Sequence, residues 1–287
     1  MTEPPRGQAD QPGSAGPKTT VVIPVWDDYV SERLEQALQS VRAQSTPPPP
    51  VVVVDNASAV PLPTLPGAWV VRAPARLTLG AARNLGLTRV ETPYVVFWDA
   101  DDVMLECTLP FLEAAISDDT GLVAFATAVV EEHSGKRHRW PRRWVKRLLR
   151  SPRRFAFLDA IWSLYPSTGS TIMLADAVRA AGGYADADSG EDWCLGVSLA
   201  FRGRLEWSER PGRLYRVHPG STQAQHMAPA DMLRHARAVR HRICTDPGIP
   251  EWARWSLPLL WLGQRAAIAA HVALERLRKE HQLSGSA

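Results

Sequence analysis

The sequence predicts an α/β layer fold, and three observations predict it. Short valine-rich runs alternate with amphipathic stretches over the first hundred residues. The run Tyr94-Val95-Val96-Phe97-Trp98 is aromatic and β-branched throughout, as expected of a strand buried on both faces of a parallel sheet. It ends in Asp99-Ala100-Asp101-Asp102, three carboxylates in four positions. Ligands of open α/β sheets gather at the carboxyl ends of such strands. Crowded carboxylates repel one another, and a hard divalent cation such as Mg²⁺ or Mn²⁺ removes that cost. No cationic residue lies near these three in sequence. The stretch reads either as a metal site facing a phosphate or as a solvated acidic strand end.

Composition narrows the classes. The chain has 287 residues, 45% hydrophobic, enough for one large or two small domains. A net charge of +3 is too small for a nucleic-acid polycation. Cys107, Cys194 and Cys244 form no CxxC pair. That argues against structural zinc and a disulfide framework and fits a reducing cytoplasm. Residues 1–18 are rich in Pro and Gly and hold no apolar signal-peptide core, so a disordered tail is expected. No uncharged apolar run reaches the length of a membrane span.

The elements follow in order. Thr19 to Trp26 reads as a first strand, with Pro24 expected to stop ladder pairing and Asp27 and Asp28 just beyond. Leu34, Ala37, Leu38 and Val41 recur at helical spacing. Val51 to Val54 is a second strand ending in Asp55-Asn56-Ala57-Ser58, and Trp69 to Val71 a third. Leu79 to Val90 reads as a helix whose first turn, with Arg83, suits an anion. After the central strand come a helix at Thr108 to Ser117 and a strand at Gly121 to Val130. The segment 136–154 carries ten basic residues interleaved with Trp140 and Trp144 and no acid. It suits an anionic membrane surface or a phosphorylated acceptor, or is a solvated basic loop.

Thr168 to Leu174 reads as a strand, and Asp176 to Ala181 as a helix closed by Gly182-Gly183. Glu191 and Asp192 open a helix to about Arg202, where its dipole favours their charged forms and keeps their pKa low. Arg204 to Trp207 and Arg213 to Val217 read as two more strands, with Arg216, His218 and Ser221 at the end of the second. Asp231 to Arg242 is a helix. Glu251 to His281 is a long helical region interrupted by Gln264 and Arg265, a packing or interfacial helix.

Five stretches in order resemble family 2 of the glycosyltransferases, inverting enzymes of the GT-A fold. They are Val21-Val22-Ile23-Pro24-Val25, Val53-Val54-Asp55-Asn56-Ala57-Ser58, Gly80-Ala81-Ala82-Arg83-Asn84, Phe97-Trp98-Asp99-Ala100-Asp101-Asp102 and Gly190-Glu191-Asp192. Arg216-Val217-His218-Pro219-Gly220-Ser221 supports them. Two departures stand out: Asn56 where the family has a second acid, and Asp27-Asp28 where it often has Glu.

The resemblance implies a GT-A, Rossmann-like mixed sheet flanked by helices, assigned to 19–225, and the helical pattern beyond it reads as a C-terminal helical extension over 226–287. It implies a nucleotide-sugar donor, UDP-sugar favoured, and Mn²⁺ or Mg²⁺. It places Pro24, Asp28, Asp55, Arg83 and Asp99 at the nucleotide and Asp101 and His218 at the metal. Asp192 corresponds to the general base, with Glu191 in support. The acceptor is a saccharide, a lipid-linked intermediate or a small molecule, and the enzyme is expected in the cytoplasm or at the inner face of the membrane, without nucleic acid.

Two rivals use the same residues. Asp99-Ala100-Asp101-Asp102-Val103 also fits the nucleophile motif of haloacid-dehalogenase-like phosphatases. A non-catalytic nucleotide-sugar-binding or membrane-scaffold protein would keep Asp99 and Asp101 and tolerate loss of Asp192.

Overall fold

Valine-rich runs become strands because β-branched side chains pack well on a pleated, doubly covered surface. β1 (Thr19–Val25) and β2 (Val51–Asp55) are buried at every position. β3 (Trp69–Arg72) is the part-exposed edge, and β4 (Tyr94–Phe97) is the central strand. These four run parallel in the order β3-β2-β1-β4. The computed structural model describes residues 16–116, 121–139, 143–164, 168–216 and 228–284.

Past β4 the sheet becomes mixed. β8 (Thr171–Leu174) pairs antiparallel with β4 and with β6 (Gly121–Glu131). β6 pairs parallel with β9 (Arg204–Tyr215), which carries the short β5 (Val103–Met104). β7 (Arg137–Arg139) hairpins back onto β6. Among the described residues the sheet is nine-stranded and mixed, flanked by helices, a GT-A-like α/β fold.

Alternation along β1 divides the core. Val22, with Val54 and Phe97, faces α2 (Leu79–Leu87) and α7 (Glu191–Arg202). Val21 and Ile23, with Val53 and Trp98, face α1 (Glu32–Arg42) and α3 (Thr108–Ala115). Leu34, Ala37, Leu38 and Val41 are the buried stripe of α1, as their spacing predicts. Pro24 stops pairing on one side only. Val21 N–H donates to Pro50 on the β2 side, so the missing N–H of Pro24 falls on the β4 side. There the register ends at Val22↔Phe97, while pairing with β2 continues to Val25↔Asp55.

A third core joins α5 (Pro152–Ile161) and α7 to the C-terminal helices, through Ala160, Val197, Val239 and Leu260. Those helices are α8 (Pro229–Thr245), α9 (Glu251–Trp255) and α10 (Leu257–Ser284).

Four expectations change. The long C-terminal helical region is two helices that break at Ser256. The two strands expected between Arg204 and Val217 are one strand, β9, whose register against β6 shifts around Pro211. A bulge tolerates the proline that read as a break. Thr168–Ser170 is a 3₁₀ turn ahead of β8. The basic segment is not a bare loop. It forms β7, α4 (Arg143–Leu149) and the start of α5, with Val145 and Phe155 buried beneath it.

Candidate active site

β1, β2 and β4 run parallel, so their carboxyl ends share one edge of the sheet. Asp55, the loop after β1 and Asp99-Ala100-Asp101-Asp102 all stand there. α6 (Ala175–Ala180) ends in Gly182 and Gly183, both left-handed at φ +78° and +70°. The turn sends Tyr184 to Gly190 back over α2 and delivers α7 to the same edge. Asn84 clamps that loop, accepting from Tyr184 N–H at 2.8 Å and donating to Tyr184 O at 2.9 Å. At Gly80 any Cβ would lie 1.9 Å from Ala185 O, so only glycine permits the contact.

The N-terminus of α2 already has its anion. Leu79 N–H donates to Asp188 Oδ1 at 3.0 Å, Gly80 N–H to Ala187 O at 3.0 Å and Ala81 N–H to Thr78 Oγ1 at 3.2 Å. The loop before α7 fills the position the sequence offered to a ligand.

Arg83 is buried and spans two acids. Its Nη1 reaches Glu191 Oε1 at 2.5 Å and its Nη2 reaches Asp99 Oδ1 at 3.1 Å. Arg213 of β9 takes the other oxygen of Asp99 at 2.6 Å and also binds Asp102 Oδ2. Arg216 N–H donates to Asp102 Oδ1 at 3.0 Å, and its guanidinium reaches Asp101 O at 3.1 Å and Glu132 Oε2 at 2.8 Å. A chain of alternating charge, buried except at Asp99, thus runs from Asp102 through Arg213, Asp99 and Arg83 to Glu191.

This corrects the premise that the three carboxylates lack cations. Arginines from α2 and β9, distant in sequence, neutralise two of them. Asp101 is partly exposed at the strand end. Among the described residues, no three His, Cys, Asp or Glu side chains are grouped to hold a metal ion. Mg²⁺ is often held by one or two carboxylates completed by substrate phosphates, and Asp101 suits that arrangement. Asp99 and Asp102, held by arginine, do not. His218 lies outside the described residues.

The electrostatics follow from burial. Burial raises the carboxyl pKa of Asp99, but Arg213 and Arg83 overcome it and hold Asp99 below the usual range. Burial, with Asp192 adding repulsion, pushes Glu191 up to about 7 against the pull of Arg83. Asp192 is also raised, by burial first, although Arg83 and the Trp193 N–H, at 2.7 Å from Asp192 Oδ1, act the other way. The low pKa expected from the helix dipole is therefore overturned. A dipole contributes tenths of a kcal/mol to about 2 kcal/mol, and desolvation exceeds it.

The remaining sequence-predicted residues lie along the same edge. Pro24 is in β1, and Asp28 lies in the 3₁₀ turn Asp27–Tyr29 just past it. Asp55 is turned to its own loop, accepting from Ser58 N–H at 2.9 Å, Leu62 N–H at 3.2 Å and Arg72, which together outweigh burial and lower its pKa. Asn56 donates to Leu77 O at 2.9 Å and accepts from Leu77 N–H at 2.8 Å. An aspartate could not make both bonds, which accounts for the amide here. Arg213 escaped the sequence reading, since only the β5–β9 pairing brings it to the acids.

A family model described as "Glycosyl transferase family 2" matches residues 20–178, more than half of the chain. The chain belongs to glycosyltransferase family 2. As a glycosyltransferase it does not use Asp99 as a phosphatase nucleophile, and the two arginines holding Asp99 agree. S. aureus TarS 1-349 in complex with UDP-GlcNAc has a similar fold, at 17% identity and a TM-score of 0.60 over 80% of this chain and 67% of that one. S. aureus TarS gives 18% identity and a TM-score of 0.58 over 80% of this chain, but this family 2 chain spans only 40% of it. No curated protein sequence matches the chain.

Proposed function

We propose that this family 2 nucleotide-sugar glycosyltransferase moves a sugar from a UDP-sugar to an acceptor hydroxyl with inversion, and that Asp192 is the general base. One observation carries the reading: Arg83 bridges Asp99 at the end of β4 to Glu191 at the start of α7, beside Asp192. Donor-side and acceptor-side carboxylates are thereby tied into one rigid unit. A TarS neighbour carrying UDP-GlcNAc in the same fold supports the choice of donor. Pro24, Asp28 and Asp55 are assigned to the base and ribose, with Asp55 acting through the loop it holds in place.

Asp192 takes the acceptor proton as the acceptor oxygen attacks the anomeric carbon. The carbon–oxygen bond to the diphosphate breaks, and its electrons leave with the nucleoside diphosphate. A single displacement inverts the anomeric centre. The raised pKa makes Asp192 a stronger base than an ordinary aspartate. Glu191, fixed by Arg83, orients it. Asp101, with His218, is assigned to a divalent cation, Mn²⁺ or Mg²⁺, which supplies charge neutralisation at the departing diphosphate when bound.

Residues 19–225 form the transferase domain and 226–287 its extension in this reading. Arg147, Arg150, Arg153 and Arg154 of the basic segment are exposed and face an anionic membrane or a phosphorylated acceptor. Arg153 and Arg154 rim an apolar groove of about 510 Å³ floored by Phe157 and Trp252. The free cysteines fit a cytoplasmic location.

The test is Asp192→Asn, scored by sugar transfer and by thermal shift with UDP and Mn²⁺. Turnover should fall by about 10²–10⁴-fold with UDP binding intact. Wild-type-like transfer by the variant would sink the assignment. Absence of transfer by the wild-type protein with any UDP-sugar would favour the scaffold reading.

A further inference from the structure

The outward side of α10 is apolar where a solvent-facing helix is normally polar. Leu257–Leu274 is long and apolar enough to cross a membrane, yet only 17% of it is buried in the protein. Leu260, Gln264 and Ile268 are the buried positions. Gln264 donates to Ala160 O at 2.8 Å and accepts from Arg240. His271 also turns inward, its ring 5.4 Å from that of Trp162. Gln264 and His271 thus face the protein, while Leu259 and Leu262 stand 64% and 57% exposed. Trp255, Trp261, Leu274 and Leu277 extend the exposed apolar surface.

Within the apolar run the charge has one sign. From Trp255 to Leu274 the sequence holds no acid and a single arginine, Arg265, whose guanidinium lies 4.9 Å from the Trp261 ring. Arg237 and His241 of α8 border the same tryptophan. Leucines and tryptophans edged by arginines match an interfacial helix on an anionic leaflet. The stripe Leu260-Gln264-Ile268 holds α10 along the protein, so the helix lies flat instead of spanning. A second copy fits less well. A two-fold contact sets the same patch against itself, and between Trp255 and Leu274 it would bring arginines together without acids to pair them.

We propose that the outward face of α9 and α10 docks on an anionic bilayer, with Trp255, Leu259 and Leu262 among the acyl chains and Arg237 and Arg265 at the phosphate level. The membrane contact assigned above to the basic segment gains an apolar anchor.

The full-length protein should sediment with phosphatidylcholine vesicles containing phosphatidylglycerol, not with phosphatidylcholine alone, and salt should weaken the binding. Leu259→Gln with Leu262→Gln should abolish binding. Arg237→Ala with Arg265→Ala should weaken it roughly 25-fold, a factor of about five per arginine. Both variants should keep the wild-type thermal midpoint and UDP-induced shift, because these residues are exposed and far in sequence from the carboxylates. The vesicle readout does not depend on the donor chemistry, so the two readings fail separately. Absence of wild-type binding to anionic vesicles overturns the proposal, as does unchanged binding by the leucine variant. Equal binding to both vesicle compositions overturns the charge assignment. A dimer that the leucine substitutions dissociate, with no vesicle binding, gives the face to a second copy instead.

Discussion

Arg213→Met tests the charge chain directly. Arg213 is 5% exposed and binds Asp99 and Asp102 together. Gly169 leaves room for it, since a Cβ there would lie 2.5 Å from Arg213 Nη1. Methionine keeps the apolar stem and removes the charge. Two carboxylates, one of them fully buried, then lose their shared cation. Removing one partner of a buried ion pair costs about 3–5 kcal/mol. At about 2–4 °C per kcal/mol, the thermal midpoint should fall by roughly 6–20 °C. Arg204→Met is the control, because its pair with Glu206 is exposed and such pairs contribute about 0–1 kcal/mol. The deficit should also depend on pH. Without Arg213 the folded pKa values of Asp99 and Asp102 rise, and a raised carboxyl pKa means stability is lost as pH rises through it. The gap to wild type should therefore be wider at about pH 8 than at about pH 5. A midpoint within about 2 °C of wild type at both pH values would refute the claim that Arg213 neutralises these acids.

Asn56→Asp should lose about 1–3 kcal/mol in urea unfolding, because Leu77 O is left without its donor; an unchanged midpoint would show that the clamp is incidental. Asp101→Ala should abolish the Mn²⁺-dependent part of the UDP thermal shift, about 2.7 kcal/mol in wild type at a hundred times the dissociation constant; a retained Mn²⁺ effect would exclude Asp101 as a ligand. Glu191 has a folded pKa of about 7, above its ordinary 4.5, so its contribution to stability is full below the ordinary value and is lost as pH rises through 7. The fall in thermal midpoint between about pH 6 and pH 8 should accordingly be smaller in Glu191→Gln than in wild type, and equal slopes would refute the shift.

What the sequence shows well is what neighbours decide. The valines of β1 and β2, the stripe of α1 and the glycine turn after α6 each carry their structure in adjacent residues, and each is where the pattern puts it. Long-range contacts are what it hides. Arg213 meets Asp99 across 114 positions, and no local signal in Arg210-Pro211-Gly212-Arg213 marks it as buried. The same Pro-Gly pair disguised β9 as two strands, because pairing along β6 overrides a local breaker when a bulge absorbs it. The Asp192 shift has the same origin. A helix N-terminus is visible in sequence, but the burial of its carboxylate in the folded protein is not.

The charge count at the strand edge argues for a division of labour among the acids. Asp99, Asp101, Asp102, Glu191 and Asp192 crowd one site, and Arg83, Arg213 and Arg216 answer them, with Glu132 taking part of Arg216. The arginines are fully engaged in holding β4, α2, α7 and β9 in register, so Asp99 and Asp102 act as struts. The other two acids stand beside these pairs: Asp192 follows Glu191 in the first turn of α7, and the Asp101 carbonyl accepts from Arg216 at 3.1 Å. In the function proposed above, Asp101 serves a cation and Asp192 a proton. On that reading the buried pairs set geometry, and Asp101 and Asp192 carry the reaction.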